Sequence, residues 1–106
     1  MLSELINLLK VLLPVTYGAW QTGHVPKLPY FVVLETYNND MMADSKHYYK
    51  VRNYNVEYYF ERKDPNLEKK IEDFFESEGI IYTAGEDIWI SSEKFYEKVY
   101  TISLGE

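Results

Sequence analysis

A chain of 106 residues with 46 % apolar and 17 % aromatic residues is too apolar to stay disordered and too short for two independent cores. Seventeen acidic against eleven basic side chains leave a net charge of −6, which repels a phosphate backbone unless the bases gather on one face. The absence of cysteine excludes disulfides, thiolate zinc sites and a cysteine nucleophile, and fits work inside a cell or in an assembly that needs no oxidation.

The chain opens with MLSELINLLKVLLP, where Leu2, Leu5, Ile6, Leu9, Leu12 and Leu13 form an apolar stripe at helical spacing. Glu4, Asn7 and Lys10 interrupt the run, no basic segment precedes it, and Pro14 stops it far short of a membrane span. A packed helix over residues 3–12 is expected, with Leu8 and Val11 widening its apolar surface toward a loop or another subunit. The short run VTY reads as an edge strand, and AWQTGHVPKLP as a loop. PYFVVLETY is a strand whose near-continuous apolar character suggests a central position.

NNDMMADSK is a polar connection, and from Tyr48 to Glu61 runs the longest expected strand. Alternation sends Tyr54, Val56, Tyr58 and Phe60 to one face, which is core, and Asn53, Asn55, Glu57 and Tyr59 to the other. Lys50 and Arg52 share the core parity, so the strand must overhang the core there or bend at a bulge. That half is read as pairing with a neighbouring subunit or as a solvated strand end. The candidate interface residues are Met41, Met42, His47, Tyr48, Tyr49, Lys50 and Arg52.

Asp64-Pro65 starts a second helix, carried by Leu67, Ile71, Phe74 and Phe75 and stopped by Gly79. IIYTAGEDIWI reads as a strand or a hairpin turning near Ala84-Gly85, and EKFYEKVYTISL as the last strand. The expected fold is a single α+β domain over residues 1–106. It is a two-layer sandwich of two helices on a largely antiparallel sheet of four to five strands, in the order αβββαββ.

His24 and His47 lie in or beside loops, outside any metal-binding spacing. The acid pairs Glu72 with Asp73 and Glu86 with Asp87 read as solvated carboxylates, and Ser91 and Ser92 lie in no nucleophile elbow. No catalytic residue, metal or cofactor is expected, and the chain reads as non-enzymatic.

PYFVVL, the ADSKHYYK segment, VEYYFERKDPNLEKKIE and EKFYEKVYTI, in that order, resemble the small neck proteins of long-tailed bacteriophages and prophages of Gram-positive bacteria. These are variously labelled tail terminator, tail completion, head–tail joining or minor capsid proteins. The resemblance implies a homo-oligomeric ring, a hexamer, that caps the tail tube and joins it to the head connector. It places the protein in the virion, and in the host cytoplasm during assembly, with no specific nucleic acid and no membrane as partner. Two alternatives come from the residues alone: a single-stranded nucleic-acid binder using Tyr48, Lys50, Arg52 and Tyr54, and a regulatory module that adds a strand to a partner's sheet.

Overall fold

The computed structural model describes residues 2–36 and 51–105. Its elements are α1 (Leu2–Leu9), β1 (Val15–Tyr17), β2 (Tyr30–Glu35), β3 (Val51–Phe60), α2 (Pro65–Ser77), β4 (Ile81–Ala84), β5 (Ile88–Ile90) and β6 (Phe95–Gly105). They form a two-layer α+β fold in which the strands run β1-β2-β3-β6-β4, with β5 also on β6. Every pairing is antiparallel except β1 with β2.

Helix α1 ends one turn earlier than the leucine pattern predicts. Val11 and Leu12 bond to carbonyls three residues back while Leu13 N–H still reaches Leu9, so the chain tightens before Pro14 instead of continuing as α-helix. Helix α2 begins as the sequence indicates: the Asp64 carboxylate accepts from Leu67 N–H at 3.1 Å, and Pro65 follows at the first helical position. At its other end Gly79 adopts φ 68°, Ile80 N–H reaches Phe75 O and Gly79 N–H reaches Glu76 O. That is a Schellman ending, which needs the left-handed conformation that glycine takes without penalty.

The core lies between the helices and one face of the sheet. Tyr54, Val56, Tyr58 and Phe60 of β3 are buried there, beside Phe31 and Val33 of β2 and Tyr100, Ile102 and Leu104 of β6. Leu5 and Leu9 of α1 and Ile71 and Phe75 of α2 close the layer from above. Stacked or tilted rings run across this face: Phe31 meets Tyr58, Tyr58 stacks on Phe60 at 4.7 Å, Phe60 stacks on Tyr96, and Tyr96 meets Trp89. Much of the tyrosine content is therefore packing, each ring burying area while its hydroxyl seeks a rim.

The expected α+β fold is present, and two details are refined. The sheet has six strands, not four or five, and the order is αβββαβββ. Among the described residues β6 has 11 residues and β3 has 10, and the expected start of the latter at Tyr48 lies outside the described residues. Residues 81–90 do not turn back at Ala84-Gly85, because β4 and β5 both pair with β6 in the same direction.

Between Ala84↔Tyr100 and Ile88↔Glu97 the outer strand spends three residues against two, which is a β-bulge. Gly85 permits it: its N–H bonds Val99 O at 2.8 Å, and an added Cβ would sit 3.0 Å from that same oxygen. The turn falls at Ser91–Lys94 instead, where Lys94 adopts φ 61° and its N–H returns to Ile90 O.

Candidate interaction surface

Both helices lie on one face of the sheet, and among the described residues the second face is covered only by the segment following β1. Along the β3–β6 ladder that second face is polar and internally bonded. Ser103 Oγ donates to Asn53 Oδ1 at 2.7 Å, and Thr101 Oγ1 donates to Asn55 Oδ1 at 3.0 Å. One step further, the Tyr59 hydroxyl lies 2.9 Å from Glu57 Oε1 and 2.8 Å from Glu97 Oε2.

Burial and the charge of Glu97 push the Glu57 carboxyl above the usual glutamate range, against the opposing pull of the Tyr59 hydrogen bond. The Tyr59 phenol is pushed well above its ordinary range by burial and by its bonds to Glu97 and Glu57, so it keeps its proton at neutral pH. Such a phenol is a bridge between acids, not a nucleophile.

Next to this trio, Trp20 stands edge-on to Tyr30, Tyr30 tilts against Tyr59, and Tyr59 stands edge-on to Phe95. These rings, with Val25, Val32, Ile90, Glu57 and Glu93, line a cavity of about 630 Å³. On the helix side a charged square joins α2 and β6 to the connections before α2 and between β4 and β5. Lys63 Nζ lies 2.8 Å from both Glu68 and Asp87, and Lys98 Nζ lies 3.6 Å from Glu68 and 3.7 Å from Asp87.

Of the interface residues named from the sequence, Met41, Met42, His47, Tyr48, Tyr49 and Lys50 lie outside the described residues. Arg52 is described: its guanidinium reaches Glu35 Oε2 at 2.9 Å. The β3–β6 register runs without interruption from Val51↔Gly105 to Phe60↔Tyr96, so the described part of β3 has no bulge. Tyr54 is buried at 4 % exposure, which removes it from any base-stacking platform. His24 is exposed in the loop before β2. No group of three or more potential metal ligands occurs among the described residues.

Two acids read as solvated are engaged: Glu72 accepts from the Tyr100 hydroxyl at 3.2 Å, and Asp87 belongs to the charged square. Asp73 pairs with Lys69 on the helix surface, and Glu86 is exposed as expected. The sequence reading missed the Glu57–Tyr59–Glu97 trio, whose only local signal is a glutamate on the polar parity of each long strand.

The exposed apolar side chains fall mainly at the two ends of the sheet. Leu8, Val11 and Tyr17 lie at the α1–β1 end, and Ile81, Ile88 and Trp89 at the β4–β5 end. Comparison of the chain with protein-family models, with curated proteins and with solved structures found no match.

Proposed function

We propose that the chain is a structural, non-catalytic subunit of the neck of a long-tailed phage, a tail-terminator or head–tail joining protein that forms a ring on the tail tube and meets the head connector. The observation that supports this most is the division of the surface. The middle of the second sheet face, along the β3–β6 ladder, is polar and hydrogen-bonded within itself, while among the described residues apolar side chains are left exposed at both ends of the sheet. A subunit with two separate sticky ends and a finished face between them is suited to repetition around an axis. The order of PYFVVL, VEYYFERKDPNLEKKIE and EKFYEKVYTI along the chain supports the phage context.

The alternative nucleic-acid platform is weakened by the burial of Tyr54 and by the Arg52–Glu35 ion pair. A strand-adding regulatory module is favoured by one observation, the ten-residue outer edge formed by residues 81–90.

The test is deletion of the gene from its phage or prophage, with tail lengths and head attachment scored by electron microscopy. The neck reading predicts tails of irregular length or heads without tails, restored when purified protein is added. Normal, head-joined tails in the deletion would overturn it.

A further inference from the structure

The cavity of about 630 Å³ lies on the sheet face that the helices leave open, and Trp20, Tyr30, Tyr59 and Phe95 stand in its wall. A volume of that order suits a small molecule and is far more than a water site needs. Successive ring centroids are 5.8, 5.4 and 5.5 Å apart, and the rings meet at 81°, 42° and 72°. They therefore stand as angled walls and do not close into a stack.

The charge of this wall is negative. Glu57 and Glu93 line the cavity together with the rings, and no lysine or arginine does so among the described residues. Glu97 joins them through the Tyr59 hydroxyl at 2.8 Å. That phenol has one proton to give, so with Glu57 and Glu97 both ionised it satisfies only one of them at a time. None of the three glutamates has a basic side chain within ion-pair distance among the described residues. Burial, and after it the charge of Glu93, raises the Tyr30 phenol, so this negative charge is felt at a buried ring.

Three kinds of guest can be compared. An anion is repelled by the glutamates, and a neutral apolar molecule would desolvate them without giving them a partner. A cation is attracted both by the carboxylates and by the ring faces, that of tryptophan most strongly.

We propose that this cavity binds an organic cation, an alkylammonium group held among the rings of Trp20, Tyr30, Tyr59 and Phe95 with Glu57 and Glu93 as its counter-charge. The site is built by one subunit and does not rest on the neck reading.

The test is titration of the full chain with n-butylammonium chloride near neutral pH and at constant ionic strength, followed by NMR of the two indole N–H signals. Trp20 is in the cavity wall, whereas Trp89 meets Tyr96 on the helix side and is the internal control. Trp89→Phe assigns the two signals. The Trp20 signal should move and saturate while that of Trp89 stays, and n-butanol, of equal length without the charge, should bind at least about tenfold more weakly.

Glu57→Gln and Glu93→Gln keep the side-chain shape and remove the charge, and each should weaken butylammonium binding about threefold or more. Glu76→Gln removes the same charge from the exposed surface of α2 and should leave the affinity unchanged. The tripeptide amide Gly-Lys-Gly identifies the source of the ammonium group. Binding at least as tight as that of butylammonium assigns the site to a lysine side chain of a partner protein, and weaker binding assigns it to a free amine; both uphold the cation site.

Butanol binding as well as butylammonium would overturn the proposal and leave an apolar pocket. So would Glu57→Gln and Glu93→Gln both binding like the parent chain, a Trp89 signal that moves as far as that of Trp20, or no movement of either signal at any soluble concentration.

Discussion

The Tyr59 hydroxyl lies 2.8 Å from Glu97 Oε2, directly across the β3–β6 ladder and 38 residues away in the chain. Its second neighbour, Glu57 Oε1, is at 2.9 Å. A phenol carries one proton, so both contacts are hydrogen bonds only when one of the two carboxyls is protonated. The trio therefore stores a pH dependence in the sheet.

Glu57 has a raised pKa in the folded state, so folding favours its protonated form. Its contribution is complete below the unfolded glutamate range, about pH 4.3, and is lost as pH rises through the folded value. Glu57→Gln, which cannot ionise, should therefore unfold at a higher temperature than the parent at pH 7, with the gain disappearing below about pH 4. Melting curves followed by circular dichroism across that range are the measurement, and a gain that grew on acidification would contradict the shared-proton arrangement.

Two buried tyrosines should respond to loss of their hydroxyls with opposite signs. The Tyr58 hydroxyl is buried with no hydrogen-bond partner among the described residues, so Tyr58→Phe should be neutral or stabilise by up to about 1 kcal/mol. Tyr100 donates to Glu72, and Tyr100→Phe should cost about 1 kcal/mol. Urea denaturation midpoints of the two variants decide this.

Burial, more than distance, should rank the ion pairs. Lys69 and Asp73 are 2.8 Å apart on the exposed face of α2, with 75 % and 55 % of their side chains in solvent. Lys98 and Glu68 are 3.6 Å apart, with 13 % and 8 % exposed. Double-mutant cycles should give a coupling of about 1 kcal/mol or more for Lys98–Glu68, and none measurable for Lys69–Asp73, which solvent screens.

The two ends of α2 should each carry a separable share of stability. Asp64→Ala removes the carboxylate that holds Leu67 N–H and should cost about 1 kcal/mol. Gly79→Ala places a Cβ at φ 68° and should cost a similar amount, about 1 kcal/mol. The double variant should show the sum within about 0.5 kcal/mol, because the sites lie at opposite ends of the helix.

Local rules reached far into this fold where the relevant partners are near in sequence. The capping pair Asp64-Pro65, the stop at Gly79 and the core parity of Tyr54, Val56, Tyr58 and Phe60 are all present as expected. Of the two readings of residues 81–90 the strand is present and the turn near Gly85 is not, for an identifiable reason. Glycine marks a tight turn and a bulge equally well, and the choice depends on whether β6 lies alongside.

The amino-acid sequence by itself determined that the chain has two helices, where α2 starts and stops, and which face of β3 is core, because side-chain periodicity and end-capping act over a few residues. Only the tertiary structure decided what lies beside what. The register of β6 on β3 brings Glu97 to Tyr59 and Glu57, and the bulge at 85–87 shifts parity so that Trp89 joins Tyr96 on the helix side. The strand order also leaves the β4–β5 edge and the α1–β1 edge at opposite ends of one sheet. These relations depend on pairings between distant segments, and a period of two along a strand specifies a face without specifying a neighbour.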